Sequence, residues 1–185
     1  EGKPLWTLGG MSSITIGTPY AADGLLYLSS GYVGDKKRPI FAVRPGASGD
    51  ISLAEGETAN EYVAWFQPQA APYNPSTVVY DGRLYVLYDR GFLACFDAKT
   101  GAAVYEQERI PDARNFTASP WAYGGNIFCL NEDGITYVIP AGDTLQVTAT
   151  NTLGNGEDEM FMATPAIVGD RLLIRSSARV YALKH

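Results

Sequence analysis

The chain has 185 residues, enough for one domain with a real core, and 46% apolar, 12% aromatic and 18% charged residues exclude a disordered segment. A net charge of -6 opposes any polyanionic partner, so nucleic acid is excluded as a ligand class. No run approaches the about eighteen consecutive apolar residues of a membrane helix, and the opening Glu1-Gly2-Lys3-Pro4-Leu5-Trp6 does not read as a signal peptide.

The sequence repeats itself, and the repeat predicts the elements in chain order. Thr18-Pro19-Tyr20-Ala21-Ala22-Asp23-Gly24-Leu25-Leu26-Tyr27 recurs as Ser76-Thr77-Val78-Val79-Tyr80-Asp81-Gly82-Arg83-Leu84-Tyr85. Further copies begin at Ser119-Pro120-Trp121 and run to Phe128, and at Thr164-Pro165-Ala166 and run to Leu173. Asp-Gly, Gly-Gly or Gly-Asp lies between two apolar runs in every copy. Such pairs accept the positive φ of a tight hairpin, so each copy predicts two antiparallel strands. Third strands are expected at Pro39–Arg44, Phe92–Asp97, Ile135–Ile139 and Arg179–Leu183, and fourth strands at Glu61–Gln67, Ala102–Arg109 and Thr144–Thr152. The last copy lacks a fourth strand of its own. Gly2-Lys3-Pro4-Leu5-Trp6 has the glycine-to-aromatic spacing of Gly101-Ala102-Ala103-Val104-Tyr105, so residues 3–8 are expected to pair beside Arg179–Leu183, either in the same chain or in another.

Four sets of four antiparallel strands describe an all-β β-propeller, one domain over residues 1–185, with blades near 18–67, 76–109, 118–152 and 163–185, the last completed by 3–8. At Phe96-Asp97-Ala98-Lys99-Thr100-Gly101, followed by Tyr105, the chain resembles the PQQ-like repeat of quinoprotein-type propellers, with Tyr where the repeat carries Trp. Asp97 and Thr100 bond the turn backbone there, and Gly101 is expected at positive φ. The resemblance implies a bacterial, periplasmic or extracellular protein, either a four-bladed ring or half of a seven- or eight-bladed propeller. It implies first a larger parent propeller, and as an alternative a homodimer of two copies. Proteins with this repeat include quinoprotein dehydrogenases and non-catalytic binding or assembly propellers.

The residues favour the second kind. His185, the last residue, is the only histidine, which leaves no base for a Ser or Cys triad. Cys95 and Cys129 lie in separate apolar runs and read as buried thiols, without metal-type or redox spacing and without the adjacent cysteine pair of many quinone enzymes. Glu157-Asp158-Glu159 reads as a solvated acidic loop, and Asp89 and Asp133 as turn formers before glycine. No cofactor is therefore expected; PQQ with calcium belongs only to the alternative in which the chain is part of a quinoprotein oxidoreductase. The candidate binding residues lie in loops from a fourth strand to the next first strand: Tyr73, Asn74, Arg114, Asn115, Phe116, Glu159 and Phe161. These loops share a face with the turns at Asp35–Arg38, Asp89-Arg90 and Glu132-Asp133, and a protein or carbohydrate partner is expected there.

Overall fold

The computed structural model describes residues 2–154 and 159–184, and every regular element in it is a strand. Blade one is β2 (Tyr20–Ala22), β3 (Leu25–Ser29), β4 (Ile40–Val43) and β6 (Val63–Gln67), in that spatial order. Blade two is β7 (Val78–Tyr80), β8 (Arg83–Tyr88), β9 (Phe92–Asp97) and β10 (Ala103–Arg109). Blade three is β11 (Trp121–Tyr123), β12 (Asn126–Leu130), β13 (Ile135–Pro140) and β14 (Ala149–Thr152). The last blade has three strands, β15 (Ala166–Val168), β16 (Arg171–Arg175) and β17 (Val180–Lys184). All pairs within blades are antiparallel, so each repeat copy is one blade of a β-propeller.

The hairpin turns follow their sequences. Asp23-Gly24, Asp81-Gly82 and Gly124-Gly125 have positive φ at both residues, whereas the fourth turn has it at Gly169 alone. The fourth strand of blade three is shorter than the alternation suggested, because Leu145 and Val147 leave the sheet to pack on the core between blades two and three.

Alternate residues of each strand face opposite neighbours, which assembles the core as a row of inter-blade layers. Tyr27, Ala42 and Trp65 of blade one meet Leu84, Val86 and Phe96 of blade two; Tyr85, Leu87 and Cys95 then meet Ile127, Cys129 and Tyr137 of blade three. Leu130 and Phe161 meet Ile174 in the third layer. A hydroxyl belt ties the starts of the first strands together: the Thr18 amide donates to Ser76 Oγ (3.0 Å), the Ser76 amide to Ser119 Oγ (2.8 Å) and the Ser119 amide to Thr164 Oγ1 (3.0 Å).

The amino-terminal segment does not take the position expected of it within the chain. β1 (Trp6–Thr7) pairs in parallel with β5 (Gly49–Asp50), a short strand in the insertion between β4 and β6, and not with β17. The insertion supplies the reason. Asn60 accepts from the amides of Tyr62 and Val63 and donates to the Ile51 carbonyl, folding Ile51 onto Phe41, Val43 and Val63, where Trp6 and Leu8 join it. One face of blade one is thereby capped. Among the described residues no hydrogen bond, ion pair or apolar cluster joins this end to the last blade, so the blades form an open arc.

Candidate binding face

The loops that lead from the fourth strands of blades two and three to the next first strands are clamped between the turns of two blades. The Phe116 amide donates to the Asp89 carbonyl (2.9 Å), and the Glu132 amide to the Asn115 carbonyl (2.8 Å). One blade later the Phe161 amide donates to Glu132 (3.0 Å) and the Ser177 amide to Met160 (2.8 Å). Gly91 makes this approach feasible, since a Cβ there would lie 2.3 Å from the Ala113 carbonyl oxygen. Arg109 fixes the same loop by donating to the carbonyls of Arg90 and Ala113, with its guanidinium 5.0 Å above the Phe92 ring. These loops are held by main-chain bonds at both sides, so whatever they display is displayed in a fixed geometry.

The structure separates the seven candidate residues into two groups. Arg114 and Asn115 are exposed, Asn115 at φ 58. Tyr73 and Asn74 are half-buried, with the Tyr73 ring 5.9 Å from that of Tyr32. Glu159 is half-buried and accepts from the Tyr181 hydroxyl at 2.7 Å, which with the Arg179 ion pair holds its carboxyl below the usual range. Phe116 and Phe161 are 1% exposed. They correct the sequence reading: their rings plug the inter-blade layers, Phe116 against Tyr137 and Phe161 against Tyr181, and so are not contact anchors. The signal was present in the repeat, because Tyr73, Phe116 and Phe161 each precede the belt hydroxyl by the same interval, and a recurring aromatic marks a core position. Tyr32, Val33, Met160 and Met162 are exposed apolar side chains on this face, outside the seven candidates.

A second feature, also missed, lies on the opposite face between blades three and four. Trp121 and Phe128 stack there (5.3 Å, 12°) beside a cavity of about 520 Å3 that Tyr123, Ile167, Leu172 and Leu183 help to line. Its charged rim is Asp170, paired with Lys184 at 2.8 Å and Arg171 at 3.6 Å. The equivalent junctions are closed. Tyr27 Oη and Trp65 Nε1 both donate to the Ala98 carbonyl (3.0 and 2.9 Å), and the Gly142 amide donates to Tyr85 Oη (2.9 Å). Phe128 stands at the corresponding place in blade three and has no hydroxyl to offer.

A quinone held with a hard cation needs a converging set of oxygen donors. Cys95 and Cys129 are fully buried between blades two and three, and burial pushes both thiols up, Cys95 to about 12. Among the described residues no cluster of three or more His, Cys, Asp or Glu side chains is gathered to hold a metal ion. The belt hydroxyls and their amides are spent on one another up to Thr164. The donor set for that cofactor is thus not assembled among the described residues; Glu157, Asp158 and His185 lie outside them. Among the described residues no helix is long and apolar enough to cross a membrane.

No family model matches the chain, and no curated protein matches it in sequence. Solved structures do match in fold. BamB from Moraxella catarrhalis superposes with a TM-score of 0.65 at 15% identity, over 92% of this chain and 46% of BamB. The quinohemoprotein alcohol dehydrogenase from Comamonas testosteroni gives 0.63 at 13% identity, over 93% of this chain and 30% of that one. The computationally designed Ika4 protein gives 0.63 at 10% identity, over 100% of this chain and 99% of its own. The chain therefore spans about half the length of BamB and less than a third of the dehydrogenase, and shares with all three the β-propeller fold.

Proposed function

We propose that the chain is a non-catalytic β-propeller module that binds a protein or carbohydrate partner on its loop face, without a cofactor. The observation that carries this reading is the main-chain clamp that holds Arg114-Asn115 between the turns of blades two and three, repeated one blade later at Met160. Fixed loops presenting Tyr32, Arg114, Asn115, Met160 and Met162 offer aromatic, cationic and thioether contacts at little ordering cost. By its resemblance to PQQ-like repeats the module works in the bacterial periplasm or outside the cell. Photo-reactive residues placed at Arg114 and, on the opposite face, at Lys99 test the face: cross-links to a partner are expected from Arg114, and cross-links from Lys99 alone overturn the assignment.

The likeness to a quinohemoprotein dehydrogenase favours a second reading, in which the chain is part of a quinoprotein oxidoreductase. Incubation with PQQ and calcium, followed by visible absorbance and dye reduction, separates the two. No stoichiometric quinone uptake is expected; uptake with turnover refutes the non-catalytic reading.

A further inference from the structure

Blade two departs from the other blades at one register place. Tyr27, Tyr85, Phe128 and Leu173 hold equivalent positions, pairing with the first-strand residues Tyr20, Val78, Trp121 and Ala166. The next residue of each second strand lies across from Phe41 in blade one, Tyr137 in blade three and Tyr181 in the last blade, but from Ala94 in blade two. By strand alternation these four side chains share one face of their blades. Three blades set an aromatic ring there, and blade two sets a methyl group.

Where the ring is present it completes an inter-blade layer. Tyr137 meets the Phe116 plug with centroids 6.0 Å apart and donates to the Asp112 carbonyl at 3.4 Å. Tyr181 meets Phe161 at 6.1 Å and donates to the Glu159 carboxylate at 2.7 Å. Between blades one and two both rings are missing from this place, because Ala94 has none and Tyr73, at the plug position of the loop, turns to Tyr32 and stays half-buried.

A notch of about 470 Å3 is left between the outermost strands β6 and β10, a volume in the range of small-ligand sites. Its floor is Tyr88, Ala94 and Phe96, none more than 6% exposed, and Gln69, Glu106 and Gln107 form its rim. The Tyr88 hydroxyl already donates to the Ala70 carbonyl (2.8 Å), and the Gln69 amide to the Lys36 carbonyl. The Glu106 carboxylate is exposed and belongs to no ion pair among the described residues. Blades one and two each have all four strands, so the notch is a feature of the interior of the arc and not of its ends.

We propose that this notch receives a tyrosine side chain of a protein partner, which restores the ring that blade two lacks. The phenol ring lies on Ala94 and Phe96, and its hydroxyl donates to Glu106 as that of Tyr181 donates to Glu159. An apolar floor beside a free acceptor suits a side chain with an apolar body and one donor at its tip. A sugar ring, with hydroxyls on all sides, would press some of them against that floor. The notch shares no residue with the proposed loop-face contacts, so the assignment does not rest on that reading.

The full chain, labelled at its alanine methyl groups, is titrated with N-acetyl-tyrosine methylamide and followed by nuclear magnetic resonance. Saturable shifts are expected at the Ala94 and Ala70 methyls, and the phenylalanine counterpart should bind about threefold or more weakly for want of the hydroxyl. Glu106→Ala should bring the tyrosine probe down to the level of the phenylalanine probe while leaving the circular dichroism spectrum unchanged. Ala94→Tyr, which supplies the ring from the chain itself, should abolish binding; Glu106→Ala carries the test if that variant fails to fold. Absence of shifts at both methyls overturns the proposal. Equal binding of the two probes also overturns it, since no acceptor would then be reading the hydroxyl. Saturable binding of methyl β-glucoside in preference to the tyrosine probe would make the notch a sugar site and overturn it as well.

Discussion

The junction between blades two and three and the junction between blades three and four are built from the same repeat, yet the first is sealed and the second holds a cavity. In the sealed junction Tyr85, Cys95, Tyr105, Ile127, Cys129 and Ile139 are all buried, and the turn after β13 returns the Gly142 amide to Tyr85 Oη. In the open one Phe128 replaces the tyrosine, β14 sets exposed Ala149 where Trp65 and Tyr105 stand in their blades, and Leu183 is left 40% exposed. The difference teaches that two strands of apolar alternation make a blade, whereas an inter-blade junction is closed by two later contributions, the turn after the third strand and the aromatic of the fourth. A blade that lacks them folds with its side chains in register and leaves a groove.

The largest effect that breaks the comparison is expected at the aromatic plugs. Phe116→Ala should cost about 3–4 kcal/mol in urea unfolding, because it empties a fully enclosed site that cannot collapse. Phe161→Ala, beside the looser junction, should cost distinctly less. Equal losses would show that the two junctions are equally tight. Next comes Gly101→Val. Gly101 sits at φ 71, and a Cβ there would lie 2.6 Å from Trp65 Cδ2, so strain and overpacking together should cost about 2–3 kcal/mol. An unchanged midpoint would remove the Trp65–Gly101 contact from the account. Smaller still is Tyr85→Phe, which leaves the Gly142 amide without its acceptor and should cost about 1 kcal/mol. The reverse change at the open junction, Phe128→Tyr, should be close to neutral. A clear gain from it would mean that a partner for the new hydroxyl already exists there.

The propeller was legible because turn chemistry and alternation are local. Asp23-Gly24, Asp81-Gly82 and Gly124-Gly125 announce hairpins by backbone geometry alone, and the third strands follow within a residue or two. Gly101 at positive φ was legible for the same reason. The position of residues 3–8 was not, since Trp6 has the spacing of a fourth strand but its neighbour β5 lies in an insertion that no repeat copy shares. Its capture depends on Asn60 folding Ile51 onto Phe41, a contact between distant parts of the chain. The loop face was found by topology, but which of its aromatics face outward depends on packing. Tyr32 lies inside an insertion and is not among the candidates, while position alone leaves Phe116 and Phe161 open between a contact role and a cap on the inner end of a blade, and only their recurrence argues for the core.

The smallest effect concerns the turn that closes blade two. Asp97 Oδ1 accepts from the Thr100 hydroxyl and amide (both 2.8 Å) and from the Lys99 amide (3.1 Å), with Arg83 at 3.9 Å, and these bonds, the Thr100 hydroxyl first, hold the carboxyl below its ordinary value. The register puts Pro140 at the same place in blade three and Lys184 in the last blade, so blade two alone has a carboxylate here. A carboxyl whose folded pKa lies below its unfolded value of about 3.9 contributes stability that is fully present above that value and is lost as pH falls through the folded pKa. Asp97→Asn keeps an acceptor oxygen but removes the charge, so the parent should be the more stable at pH 6 and the two should converge below about pH 4. Being solvent-facing, the carboxylate should move the urea midpoint only slightly. Asp35 and Asp50, also held low by serine donors, titrate identically in both proteins and cancel in the difference. A stability difference that stays constant from pH 6 to pH 3 would show that the turn depends on the shape of the Asp97 side chain and not on its charge.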